Sequence, residues 1–336
     1  MKEWLFAVVF MAVSSQAQAQ RVVEHEQVSF PEEIPAGGYS GVAWLGDDRY
    51  AVVSDNTSKD GFFIFSLSLD SLGVIRSARN LGFYGNSAPG GDSEGVAWWP
   101  VKGTLFVSGE KANQVHELRM DGSATGRRLR LPAEFARATS SYGLEALTYD
   151  AVAHRFWTTS ESTLTGDGKK ADAINGVRNK LRLQSFDDQL MPRQQYVYEM
   201  DEAMAESQPE RHSLGVSALA AVGDGSLLVL EREFAVLSSK IGSFASCKIY
   251  RVWPSKGKAL PAGAAIGGVK PLEKSLVAEW MTSIGLLDFS IANYEGMCIG
   301  PRLADGGRVV VLLADSQNQY GGILADWWKT FVIYDE

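Results

Sequence analysis

Five short segments hold the residues best suited to chemistry. Ser40-Gly41-Val42-Ala43, Glu94-Gly95-Val96-Ala97, Glu145-Ala146-Leu147-Thr148, Ser217-Ala218-Leu219-Ala220 and Glu295-Gly296-Met297-Cys298 share one order: polar or acidic, small, aliphatic, small. Each is followed by a turn and a second apolar run: YAVVSD, TLFVSGE, RFWTTSE, LLVLER or VVVLLAD. An acid ends each second run, namely Asp55, Glu110, Glu161, Glu231 and Asp315. Carboxylates brought close together cannot all stay charged without a cation or raised pKa values. Oxygen-only ligands suit a hard ion, and calcium is the natural choice. The expected ligands are Glu94, Glu145 and Glu295, with Asp55 and Asp315 as additions. The local alternative is that each acid caps a turn or binds backbone amides within its own repeat.

A second pattern competes for the same residues. Gly91-Asp92-Ser93-Glu94-Gly95 reads G-x-S-x-G, the spacing that presents a nucleophilic serine on a sharp turn between a strand and a helix. The chain after Ser93 continues EGVAWWPVKGTLFVSGE, which is hairpin patterning. Tyr39, Leu144, Val216 and Tyr294 stand at the serine's place in the other units, and none of His25, His116, His154 and His212 sits in a context that marks a catalytic base. The recurrent chemistry therefore lies in the acid, not in Ser93.

Elements that could position such acids follow from the same repeats. Short β-branched and aromatic runs joined by turns such as Gly46-Asp47-Asp48, Gly223-Asp224-Gly225 and Asp305-Gly306-Gly307 are β-hairpins. Further strands follow, among them Phe62 to Leu67, Val115 to Arg119, Lys180 to Phe186 and Lys248 to Trp253. Hairpin pairs repeating at roughly fifty residues predict an all-β propeller of four-stranded antiparallel blades around a central channel. The mature length divided by about fifty predicts six blades; the five repeats leave five as the alternative count. The innermost strands of a propeller run side by side, so Glu94, Glu145 and Glu295 should converge at one channel mouth, with Ser40 and Ser217 completing the ring. Met200 to Ser207 (MDEAMAES) is the best helical candidate, a short decoration on a connection.

Composition narrows the function classes. The chain has 336 residues, 45% apolar and 21% charged, enough for a large core. Its net charge of -8 argues against a nucleic-acid partner. Trp4 to Val13 is apolar, follows Lys2 and leads to Ala17-Gln18-Ala19, so residues 1–19 read as a secretory signal peptide and 20–336 as one exported domain, periplasmic or extracellular. No later run is long and apolar enough to span a membrane. Cys247 and Cys298 could bridge in that compartment, but Cys298 occupies a slot where other units carry Ala or Thr, so two buried thiols are expected. Trp98-Trp99 and Trp327-Trp328 are read as inter-blade packing rather than sugar platforms.

In order, SGVAWLGDDRYAVVSDN, DSEGVAWWPVKGTLFVSGEKANQVHELRMDG, YGLEALTYDAVAHRFWTTSE, GDGSLLVLERE and NYEGMCIGPRLADGGRVVVLLADSQNQ resemble the motifs of the family described as esterase-like activity of phytase, or phytase-like domain. The resemblance implies a secreted bacterial β-propeller associated with ester or phosphoester hydrolysis. One departure is Gly109-Glu110-Lys111, where the family pattern has a serine, an acid and an arginine, so the cationic role passes there to Lys111; the fourth unit keeps Glu231-Arg232. The expected mechanism has calcium polarising an ester carbonyl or phosphoryl oxygen, a free carboxylate among Glu94, Glu145 and Glu295 activating water, and Lys111 or Arg232 stabilising the oxyanion or a phosphate. Asn56, Asn293 and Asn318 are candidate neutral ligands. Leu164 to Asn179 breaks the hairpin rhythm and either offers Lys169, Lys170 or Arg178 at the mouth or is a solvated connection. The expected partner is a small ester or phosphoester bound by a monomer. The competing class is a non-catalytic propeller that binds a glycan, peptide or envelope component and uses calcium only for rigidity.

Overall fold

The computed structural model describes residues 20–335 apart from positions 36, 90, 91, 111, 112, 140, 262, 288, 318, 320, 321 and 323. The expected signal peptide, Lys111 and Asn318 lie outside the described residues. The chain folds as a five-bladed β-propeller. Blade 1 is β3 (Tyr39–Gly46), β4 (Arg49–Ser54), β5 (Lys59–Leu69) and β6 (Ile75–Pro89). Blade 2 is β7 (Ser93–Trp99), β8 (Thr104–Gly109), β9 (Gln114–Arg119) and β10 (Ala124–Arg128). β11 (Leu144–Asp150), β12 (Arg155–Ser160), β13 (Lys180–Phe186) and β14 (Pro192–Glu199) make blade 3. β15 (Arg211–Ala221), β16 (Leu227–Val236), β17 (Phe244–Val252) and β18 (Lys274–Ser283) make blade 4.

Blade 5 joins the two ends of the chain. β19 (Asn293–Arg302), β20 (Arg308–Asp315) and β21 (Trp327–Ile333) come from the C-terminal part, and β1 (Val22–Glu24) pairs antiparallel with β21, with Val22 opposite Ile333. A second short strand, β2 (Val28–Ser29), also pairs with β21. This pairing closes the ring by backbone hydrogen bonds between the two ends of the chain.

The structure has five blades rather than six because the extra length goes elsewhere. The four strands of blade 4 run to 11, 10, 9 and 10 residues, against 7, 6, 6 and 5 in blade 2. Connections 161–179 and 253–273 absorb most of the remainder. Met200–Ser207 is not helical; Glu233 accepts hydrogen bonds from the Met204 and Ala205 amides and holds this connection extended. Cys247 and Cys298 are free and buried, as the repeat alignment suggests. No helix among the described residues is long and apolar enough to cross a membrane.

Packing explains the repeated small residues. A Cβ on Gly95 would collide with the Glu145 carbonyl oxygen, and one on Gly41 with that of Glu94. Adjacent inner strands approach so closely that only hydrogen fits between them there. Outside this inner ring the blades bury apolar faces against one another. One such layer sets Leu228, Leu230 and Ile249 of blade 4 against Tyr294, Met297, Val310 and Phe331 of blade 5. Trp99 and Trp328 are buried; Trp328 stacks on Phe30 at 5.1 Å between ring centres.

Candidate metal and catalytic site at the acidic mouth

Each inner strand carries a register shift at its ring residue. In blade 1, Tyr39 pairs with Ser54 and Gly41 with Val53, leaving Ser40 as the extra residue. Similarly, Val216 pairs with Glu231 and Ala218 with Leu230, and Tyr294 with Ala314 and Gly296 with Leu313. The shift recurs between Ser93 and Val96 and between Leu144 and Leu147. Such β-bulges re-aim side chains at strand ends. Here they lie at Ser40, Glu94, Glu145, Ser217 and Glu295.

A second tier stands beside this ring. The Asp55, Glu110 and Glu161 amides donate to the Gly38, Asp92 and Gly143 carbonyls at 3.0, 3.1 and 2.9 Å. Each therefore sits opposite the residue two before a ring position. Asp315 occupies this place in blade 5, where it pairs with Asn293. In blade 4 the place belongs to Arg232, which pairs with Gly215. Glu231, read from the sequence as that unit's acid, instead accepts hydrogen bonds from Tyr198 at 2.5 Å and Lys274 at 2.6 Å. Glu231 stands one residue earlier, opposite Val216, at the place held by Ser54, Gly109, Ser160 and Ala314 in the other blades, and successive strand residues face opposite ways.

The two tiers enclose a cavity of about 530 Å³ lined by Asp55, Asp92, Glu94, Glu110, Glu145, Glu161, Glu295 and Asp315, with Arg232, Arg211, His212 and Tyr142. Carboxylate oxygens of Glu110, Glu145 and Glu161 all lie within 4.8 Å of one another. Two such charges repel by about 3.5 kcal/mol at an effective dielectric constant near 20. Burial, followed by the charges of Glu94, Glu161 and Glu295, pushes the Glu145 carboxyl well above its usual range. Burial also raises Glu94, reinforced by Glu295 and Asp55, and raises Asp315, reinforced by the same two neighbours. Glu110 is pushed up to about 7, chiefly by burial, against the pull of the Gly143 amide, which donates to its Oε1 at 2.6 Å. Burial raises Glu161 too, although Arg232 partly offsets it.

One buried cation crosses this cluster. Arg232 Nη2 donates to Glu161 Oε1 at 2.6 Å, while its Nη1 donates to Asn293 Oδ1 at 2.9 Å and lies 3.3 Å from Glu295 Oε1. Asn293 in turn donates to Glu295 Oε1 at 2.8 Å, and Ser213 to Glu161 Oε1 at 3.1 Å. Burial works against the guanidinium charge, but Glu295, Glu161 and Glu145 hold it in place.

The donor set fits a hard divalent cation. The Glu110, Glu145 and Glu161 oxygens, within 4.8 Å of one another, are close enough to converge on one oxygen-ligated ion such as calcium. Of the sequence-derived residues, Glu145 belongs to this trio. Glu94, Glu295, Asp55 and Asp315 line the same cavity and influence one another's charge. Asn293 orients Glu295 and Arg232, and the Asn56 amide donates to Ser54 Oγ.

Other candidates separate cleanly. Ser93 is buried at the start of β7, with strand and no helix after it, so it stands on no nucleophile elbow. In the 164–179 connection, Lys170 Nζ sits 3.1 Å above the ring of Tyr142 at the mouth, whereas Arg178 forms an exposed pair with Glu202. Lys169 is exposed. Glu110 and Glu161 gain importance because three-dimensional proximity, not motif order, selects them. His212 was missed: it lines the mouth, and its Nε2 lies 3.0 Å from Glu233 Oε1. No local signal in RHSLG marks it.

The model of the phytase-like family, described as esterase-like activity of phytase, matches residues 34–317. No curated protein matches the chain. Among solved structures, the endo-arabinase of Bacteroides thetaiotaomicron is similar at 10% identity, covering 93% of this chain and 99% of its own, with a TM-score of 0.47. The catalytic domain of Coprinopsis cinerea GH62 α-L-arabinofuranosidase is similar at 11% identity, covering 94% and 96%, with a TM-score of 0.46.

Proposed function

This chain belongs to the family described as esterase-like activity of phytase, and from that premise we propose that it is a calcium-assisted hydrolase of small esters or phosphoesters. The observation that carries the reading is the trio of Glu110, Glu145 and Glu161 oxygens within 4.8 Å of one another in a mouth open to substrate. These three residues hold the ion, which when bound supplies Lewis acidity to a carbonyl or phosphoryl oxygen. Glu94, whose carboxyl has a raised proton affinity, takes a proton from the attacking water as general base. Arg232 positions Glu161 and Glu295 and limits the repulsion around the ion. Lys111 remains the proposed contact for substrate oxyanion or phosphate. The protein works as an exported monomer, in the periplasm or outside the cell.

The test is hydrolysis of p-nitrophenyl acetate, p-nitrophenyl butyrate, p-nitrophenyl phosphate, phytate and a lactone, with calcium or EDTA, by wild type and Glu145→Gln. Calcium-dependent turnover of one class, lost in the variant, supports the reading and selects the chemistry. No turnover of any substrate, with EDTA changing only the melting temperature, replaces it with a binding propeller rigidified by its ion.

A further inference from the structure

The inner strands end at a second mouth of opposite chemistry. Four residues beyond the ring positions Ser40, Glu94, Glu145, Ser217 and Glu295 stand Trp44, Trp98, Tyr149, Ala221 and Ile299. Four residues of strand span about 13 Å, so these five form a separate level of the channel. They line a cavity of about 480 Å³, within the size range of small-molecule sites. Arg308 is the one charged residue in its lining.

The level is asymmetric. Blades 1 to 3 contribute the three aromatic rings, whereas blades 4 and 5 contribute the smaller Ala221 and Ile299. The cavity lining is thus aromatic on the side of blades 1 to 3 and aliphatic on the side of blades 4 and 5. Two of the rings are fixed before any ligand arrives: Trp44 Nε1 donates to the Asp47 carbonyl at 3.0 Å, and Tyr149 Oη donates to Asp188 Oδ1 at 3.0 Å. Preformed aromatic walls lose little entropy when a planar ligand enters. Val152 at the rim is 73% exposed, extending the apolar surface outward.

Arg308 supplies the polar handle. Its Nε donates to Asp335 Oδ2 at 2.9 Å and its Nη1 to the Val222 carbonyl, which fixes the guanidinium plane at the cavity edge. Nη2 makes no hydrogen bond among the described residues. Asp335 is shared with Arg251 and Arg302, so this one carboxylate serves three guanidiniums, although Arg251 also pairs with Asp224. The charge complement of this edge is an anion.

From this geometry we infer that the mouth opposite the acid cluster is a second binding site, for a planar aromatic molecule of two or three rings carrying a single negative charge. The rings lie between Trp44, Trp98 and Tyr149 on one side and Ala221 and Ile299 on the other, and the anionic group faces Arg308. The site is independent of the acidic mouth and of the reaction proposed there.

The probe is anilinonaphthalene sulfonate, titrated into the full protein and followed by fluorescence. Saturable one-to-one enhancement is expected, unchanged by calcium, EDTA or Glu145→Gln. Ala221→Trp, which puts bulk into the cavity from blade 4, should weaken binding at least tenfold. Trp98→Ala removes bulk instead and should weaken it about fivefold, which keeps the test informative if the first variant folds poorly by near-ultraviolet circular dichroism. The uncharged analogue N-phenylnaphthylamine should bind at least tenfold more weakly than the sulfonate. Enhancement that never saturates, or that survives both substitutions, overturns the site; equal binding of the neutral analogue overturns the role of Arg308.

Discussion

Arg232 Nη2 lies 2.6 Å from Glu161 Oε1, joining blade 4 to blade 3 across the acidic mouth, and its Nη1 reaches Glu295 of blade 5 at 3.3 Å. Both members of the shorter pair have side chains only 4% exposed. Removing one partner of a buried pair leaves the other charge uncompensated, at about 3–5 kcal/mol. Arg232→Met should therefore lower stability by that order. Arg232→Met with Glu161→Leu should recover much of it, because the stranded carboxylate is also gone. Chemical denaturation of the two variants and the Glu161→Leu single variant, as a double-mutant cycle, measures the coupling; additive effects would remove the pair from the account.

Calcium should stabilise the fold through the trio of Glu110, Glu145 and Glu161. A ligand that binds only the folded state adds about 2.7 kcal/mol at a hundred times its dissociation constant. The melting temperature should rise with calcium in wild type and respond much less in Glu145→Gln. Magnesium, which requires tighter octahedral ligation, should be the weaker stabiliser. Scanning calorimetry across a calcium series checks all three expectations, and identical responses of the variant and wild type would place the ion elsewhere.

Much of this arrangement was legible in the sequence, for a physical reason. Inner strands must pack closely, so Gly41, Gly95 and Gly296 recur, and the repeat makes them visible beside the ring acids. The places of Glu231 and Arg232 were harder to read because both are charged and both end the same run; Arg232 stands level with Asp315 of blade 5, and Glu231 level with Ala314. Blade number was ambiguous because longer strands and longer connections consume residues just as a further blade would; β15 to β18 show the first and the 253–273 connection the second. His212 escaped notice because its partner Glu233 lies on the neighbouring strand, 21 residues away.

The pH dependence of stability should change sign with calcium. Glu110 in the folded protein is raised to about 7 from an ordinary 4.5, chiefly by burial, so the folded state holds a proton more tightly than the unfolded chain does. Its stabilising contribution is complete below about pH 4.5 and disappears as pH rises through about 7. In EDTA the melting temperature should therefore fall between pH 5 and pH 8, with Glu110 contributing no more than about 2 kcal/mol after solvent screening. Glu110→Gln should flatten that slope. With saturating calcium the ion needs ionised carboxylates, and stability should instead rise over the same window. Melting curves at four pH values with and without calcium read both slopes; a wild-type slope in EDTA that Glu110→Gln leaves intact would exclude this residue as its source.

Gly95 provides a test of the fold that does not depend on any ion. A Cβ there would meet the Glu145 carbonyl oxygen and crowd Ser108 Oγ, which accepts a hydrogen bond from the Gly95 amide at 2.8 Å. The neighbour on one side is backbone of the adjacent inner strand and cannot rotate away. Gly95→Ala must then push β7 and β11 apart at the level of the acid ring, costing about 2–4 kcal/mol, in the range of severe core changes. Gly267→Ala is the matched control, because a Cβ at that position meets nothing within 4 Å. It should stay within about 0.5 kcal/mol of wild type. Widening the ring also separates Glu145 from Glu110, so Gly95→Ala should weaken calcium stabilisation as well as the apo fold, whereas Gly267→Ala should change neither. If Gly95→Ala melts like wild type, the inner strands do not approach as closely as this geometry requires.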